Sequence, residues 1–243
     1  MERTVFDHVA IGTQVLADGW ELFGGILGGT WGYGGDSPGY WWGQLEFESG
    51  PKIELLTPTG GPDAAFLERF LAGRGAGPHH FNFLVPDIEA TLTRVRSLGI
   101  EPVGVNLENP RWKEAFLHPK TAHGIVIQVA QQSGPPPQPP PPAGLPEPGE
   151  PATLAVVEHH VADLAGATSL FAQVLEGTIT SGNSTVTELT WPNGARLRLV
   201  QSTRHPLGRL EHLHFAREAG SLSPTDLGRL GDLAGRLGVS VRV

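Results

Sequence analysis

Polar and apolar residues alternate from Val5 to Gly12. Val5, Asp7, Val9 and Ile11 fall on one face, and His8, Ala10 and Gly12 on the other. A period of two marks a strand. Trp20, Phe23, Ile26 and Leu27 then recur at helical spacing and stop near Gly28-Gly29, which predicts a helix. Strands are predicted over 40–47 and 52–56. A short helix opens at Pro62-Asp63 and carries Phe66, Leu67, Phe70 and Leu71. The same order then returns. A strand covers 80–85, and Asp87 caps a helix bearing Ile88, Leu92, Val95 and Leu98 that Gly99 ends. Strands follow over 114–117 and 125–130.

The remainder repeats the pattern more loosely. Leu154 to Val157 reads as a strand, and Asp163 caps a helix with Leu164, Ala167, Leu170, Phe171 and Val174. Strands fit 186–190, 196–200 and 212–215. Ser223-Pro224 opens a helix with Leu227, Leu230, Leu233 and Leu237 on one stripe, and 239–243 is a last strand. The prediction is an α+β chain of tandem βαβββ modules, two paired and two in a degenerate, truncated second pair.

Between the pairs, ten of the seventeen residues from Pro135 to Pro151 are proline. Such a run stiffens into polyproline II, with a reach of about 50 Å at roughly 3.1 Å per residue. The expected organisation is a first domain over 1–131, with modules 1–58 and 78–131. A proline-rich linker over 132–151 and a degenerate domain over 152–243 follow.

Composition narrows the function. The formal net charge is −8 and no long basic run occurs, so nucleic acid is not an expected partner. No apolar run is long enough to span a bilayer and no leader segment is evident; the expectation is a cytoplasmic protein without membrane association. Cysteine is absent, which excludes disulfides and thiolate ligands and leaves His and Glu as metal-binding types.

The repeat places such residues at matching points. His8 begins one alternating strand and His80 another, with Glu54 and Gln128 in the later strands. The His-to-acid-or-amide spacing is 46 in the first copy (54 − 8) and 48 in the second (128 − 80). Two imidazoles, a carboxylate and an amide suit Zn²⁺, Co²⁺, Ni²⁺, Mn²⁺ or Fe²⁺. For proton transfer the candidates are Glu54 first, then Glu46 and Glu48 on the preceding strand. Asn82 shares a face with His80 and is a candidate hydrogen-bond donor to substrate. Trp41 and Trp42 are candidate pocket walls, although their alternation sends at least one toward the core. Glu46 and Glu48 read equally as solvated edge charges, and His79, His118 and His123 as local structural groups.

Paired βαβββ modules with His in the first strand and Glu or Gln in the last resemble the vicinal oxygen chelate superfamily. This group includes glyoxalase I, extradiol dioxygenases, bleomycin- and fosfomycin-resistance proteins and methylmalonyl-CoA epimerase. Residues 5–131 look most like the epimerase branch. The matching stretches are Asp7-His8-Val9-Ala10, Ile53 to Pro58, Gly77-Pro78-His79-His80, and Phe116 to Lys120 with Gly124 to Ile127. The resemblance implies one divalent ion on His8, Glu54, His80 and Gln128. It also implies a substrate with a carbonyl or vicinal oxygens, and an isomerase, epimerase or lyase that moves a proton beside that carbonyl. In the epimerase pattern the first-module position is commonly Gln and the last Glu; here they are exchanged, and an amide cannot serve as a base. An Fe²⁺ dioxygenase and a non-catalytic small-molecule-binding protein are the alternatives, and a homodimer is a possible assembly.

In the second pair the same alignment puts Val156 at the His8 position, Arg198 at the Glu54 position and His212 at the His80 position. A Val, an Arg and one His cannot hold a divalent cation, so no metal is expected there. Arg198 is expected to bind an anion or to pair with Glu158.

Overall fold

The computed structural model describes residues 2–134, 139–218 and 222–243; Pro135 to Gln138 of the expected linker lie outside them. Strands β1 (Val5–Gly12), β2 (Thr30–Ser37), β3 (Tyr40–Glu46), β4 (Lys52–Pro58), β5 (Gly77–Leu84), β6 (Val103–Asn106), β7 (Trp112–Leu117) and β8 (Val126–Gln132) form one sheet. Its order is β2-β3-β4-β1-β5-β8-β7-β6. Strands β9 (Thr153–Val161), β10 (Thr178–Gly182), β11 (Val186–Thr190), β12 (Arg196–Gln201), β13 (Arg209–Ala216) and β14 (Val241–Arg242) form a second, ordered β10-β11-β12-β9-β13-β14. Within a module the first and last strands pair parallel, as β5 with β8 and β9 with β12. The strands between run as an antiparallel meander. The fold is α+β, built of βαβββ-like modules.

Three strands go beyond the expectation. β2, β6 and β10 are each outermost in their sheet. β6 and β10 are exposed along their whole length, so no apolar alternation marks them. β2 carries Gly32, Gly34 and Gly35, which depress strand propensity. Gly34 is required by packing, because a Cβ there would meet the Trp42 carbonyl and the Trp31 ring.

The first helix of each leading module changes width. Helix α1 (Leu16–Gly19) continues as a π-helix over Trp20–Ile26, and α4 (Leu164–Thr168) as a π-helix over Ser169–Val174. Helices α2 (Ala65–Arg74), α3 (Ile88–Ser97) and α5 (Pro224–Arg236) are regular. Asp87 Oδ1 accepts from Ala90 N at 3.0 Å and Asp163 Oδ1 from Gly166 N at 2.9 Å. Ser223 caps α5 with Pro224 in its first turn. No helix among the described residues is long and apolar enough to cross a membrane.

The chain forms two compact units. One comprises Met1–His8, His80–Pro135 and Val156–Glu211. Its core is aromatic: Phe6 stacks on Phe83 at 4.7 Å, and Trp191 meets Phe83 at 5.3 Å. His159 is fully buried against Phe81. Its Nε2–H donates to the His123 carbonyl at 2.7 Å, and burial lowers its pKa to about 4.

The other unit comprises Val9–His79, Pro136–Ala155 and His212–Val243. Trp20, Trp31 and Trp41 cluster there, as do Phe23, Phe47 and Phe215. The described part of the proline-rich stretch is held along this unit. Trp31 Nε1 donates to Pro139 O at 2.9 Å, and Gly149 N donates to Gly24 O at 3.1 Å.

Candidate metal centre

His8 stands on β1 and His80 on β5, both buried. Their Nε2 atoms lie 3.2 Å apart. Asp7 Oδ2 sits 2.8 Å from His8 Nδ1. A carboxylate oxygen only accepts, so Nδ1 carries the hydrogen and Nε2 presents a lone pair. Glu54 stands on β4 in register with Gln44 of β3, and Gln44 Nε2 donates to Glu54 Oε2 at 2.8 Å. The ligand atoms of His8, Glu54 and His80 lie within 4.8 Å of one another. Two donors sharing one zinc-class ion at roughly 2.1 Å can be no more than about 4.2 Å apart. The imidazole pair is inside that limit. Two nitrogens and one carboxylate oxygen are a fitting donor set for a divalent ion.

Asp7 fixes the His8 tautomer, so Asp7→Asn is expected to weaken zinc binding by about 10–100-fold, the usual effect of losing an outer carboxylate. Competition with a chromophoric chelator measures this; unchanged affinity would contradict the assigned tautomer.

Gln128, expected as a fourth ligand, lies opposite Asn82 in register. Its Oε1 accepts from Asn82 Nδ2 at 2.8 Å, and its Nε2 donates to Glu114 Oε2 at 2.8 Å. Trp112 Nε1 donates to the same carboxylate oxygen at 2.9 Å. The amide oxygen is thus engaged in a side-chain relay. Glu114 was missing from the sequence candidates. Trp112, Glu114 and Phe116 share the face of Gln128 once β7 is registered on β8, which was the available signal. Asn82 was expected to donate to substrate; it donates to Gln128 instead.

The remaining candidates fall elsewhere. Glu46 and Glu48 are exposed, and Glu46 is in register with Thr30 at the end of β3. Neither belongs to the grouped ligands. Trp41 is half-buried, packing edge-on against Trp20 at 5.4 Å and stacking near Trp31. Trp42 shares the face of Gln44 but leans on the cluster of Ala10, Leu56, Leu67 and Leu71. His79 packs against Phe66 and Phe70. His118 Nδ1 accepts from Lys120 N at 3.1 Å, and His123 adopts a left-handed φ of 57°.

In the second sheet Arg198 lies opposite Glu158, as Gln128 lies opposite Asn82. Its Nε donates to Glu188 Oε1 at 2.8 Å and Nη1 to Glu158 Oε2 at 3.4 Å. Arg198 holds the Glu188 carboxyl below its ordinary range. A fixed cation between two acids thus occupies the position aligned with Glu54. The guanidinium is one-third exposed, so the pair ranks between surface and buried bridges. Arg198→Leu is expected to destabilise by about 1–3 kcal/mol. Urea unfolding reads this; a loss under about 0.5 kcal/mol, the scatter of ordinary surface changes, would contradict it.

Residues 7–116 match the Glyoxalase/Bleomycin resistance protein/Dioxygenase superfamily. Comparison with curated proteins gives no match. A hypothetical protein from Staphylococcus aureus shares the fold over 90% of this chain and 93% of its own, with TM-score 0.60 and 14% identity. Hypothetical protein BH1468 from Bacillus halodurans is 26% identical over 56% of this chain and 99% of its own, with TM-score 0.48. Methylmalonyl-CoA epimerase from Mycobacterium tuberculosis is 25% identical over 53% and 88%, with TM-score 0.47.

Proposed function

We propose that the first half of this chain is a divalent-metal-dependent isomerase, epimerase or lyase that moves a proton on the carbon beside a carbonyl. The observation that carries this reading is the buried grouping of His8, Glu54 and His80. A divalent ion held by these residues would supply Lewis acidity to a substrate carbonyl. Asp7 orients His8, so the imidazole need not reorganise when substrate arrives. Gln44 donates to Glu54 Oε2, and the Glu54 carboxylate is assigned the proton. The proton leaves the substrate carbon for this carboxylate while the carbon's electron pair shifts toward the carbonyl oxygen, and it returns in the reverse step. Glu54 keeps 6% exposure, so the proton it carries exchanges with solvent before it is returned to substrate.

The test is solvent exchange. Protein loaded in turn with zinc, cobalt, nickel or manganese is incubated in D₂O with a panel of acyl-CoA thioesters, dicarbonyls and hydroxyketones. Deuterium is expected at the carbon beside the carbonyl; chelation should stop it and added metal restore it. Absence of exchange with every metal and substrate would sink the proposal, and oxygen consumption with Fe²⁺ would replace it with the dioxygenase reading.

A further inference from the structure

The relay beside the metal centre has only one sense. Glu114 Oε2 can only accept, and both Trp112 Nε1–H and Gln128 Nε2–H point to it. That fixes the Gln128 amide with Oε1 turned to Asn82. Oε1 also only accepts, so Asn82 must present Nδ2 to it. Turning Asn82 over would set two carbonyl oxygens against each other. Its Oδ1 is therefore pinned outward from the relay. Asn82 is 0% exposed, and among the described residues Oδ1 has no hydrogen-bond partner. Buried acceptors without a donor are rare. This one stands two residues from His80 on the same strand face, about 6–7 Å along it.

We propose that Asn82 Oδ1 is the specificity-determining acceptor of this site, with Glu114 as its positioning residue. The ligand class is a neutral carbonyl compound bearing a hydroxyl or N–H beside the carbonyl. Such a donor completes the relay. A ligand placing an ether or carboxylate oxygen there meets Oδ1 oxygen to oxygen and is rejected. This inference rests on the metal-centre reading above and adds a substrate class to it.

The test compares hydroxyacetone with methoxyacetone on the zinc-loaded protein by titration calorimetry. The two share the carbonyl and the neighbouring oxygen, and only the first has a donor. The wild-type protein is expected to bind hydroxyacetone at least about tenfold more tightly. In Asn82→Leu the ratio is expected to fall to within about twofold. Glu114→Gln should lower it as well, because a glutamine there can accept or donate and so lets Gln128 and Asn82 turn over. Both variants should keep the wild-type zinc stoichiometry and circular dichroism spectrum, which separates positioning from folding. Equal affinity for the two ketones, an unchanged ratio in the variants, or no binding of either ketone would overturn the inference while leaving the metal centre in place. Failure of the wild-type protein to bind zinc would overturn the metal-centre reading and this inference with it.

Discussion

His80→Ala is expected to abolish stoichiometric zinc binding and, with it, metal-dependent proton exchange. His80 is one of three grouped donors, and its Nε2 faces that of His8 at 3.2 Å. Removing it leaves one imidazole and one carboxylate. The effect should exceed the about 10–100-fold penalty of losing an outer partner such as Asp7. His80 is buried at 6% exposure, so the fold has to be checked in parallel. His80→Gln keeps a polar group of similar reach and should preserve the circular dichroism spectrum while still losing zinc. Metal analysis after dialysis decides the matter. Full zinc retention in a folded His80 variant would place the metal elsewhere.

The second expected result concerns acid. His159 is neutral in the folded chain because its ring is buried, and protonation would charge Nδ1, which has no partner among the described residues. Above pH 6.5, the ordinary value, the ring is neutral folded or unfolded. Between 6.5 and about 4 the unfolded chain takes a proton that the folded chain refuses. Stability therefore falls as pH falls, by up to about 1.4 kcal/mol per unit from this residue. Below about 4 both states are protonated and this contribution stops changing. Urea unfolding at pH 7.5 and pH 5 should show roughly 2 kcal/mol of acid destabilisation from His159. His159→Gln keeps a donor toward the His123 carbonyl and removes the titration. An identical slope in that variant would show that other groups carry the pH dependence.

The residues that were legible in the sequence are those whose position depends on one strand's parity. His8 and His80 each stand fourth in their strand, and Glu54 sits 46 residues after the first of them, close to the 48 of the second copy. Gln44 and Glu114 were not legible in this way. Their roles follow from which residue of a neighbouring strand they face, and antiparallel register is not written in local spacing. The same limit explains β2, β6 and β10. An edge strand with both faces wet, or one rich in glycine, has no alternation to detect. Trp41 and Trp42 show the converse: parity puts them on opposite faces, and only three-dimensional packing shows that Trp42 leans on the α2 cluster. The joining of early and late segments within each compact unit depends on contacts across more than a hundred residues, beyond any periodicity.

The prolines seated at Trp31 have a further consequence. β2 is an outermost strand, and an open edge can recruit a foreign strand. Trp31 on that strand holds the carbonyl of Pro139, the first of four consecutive prolines. Proline has no amide hydrogen. The segment can cover the rim of the sheet, yet it has no row of donors with which to lengthen it. Where it meets Trp31 it is a selvedge, a border with no donors of its own from which the fabric could be continued.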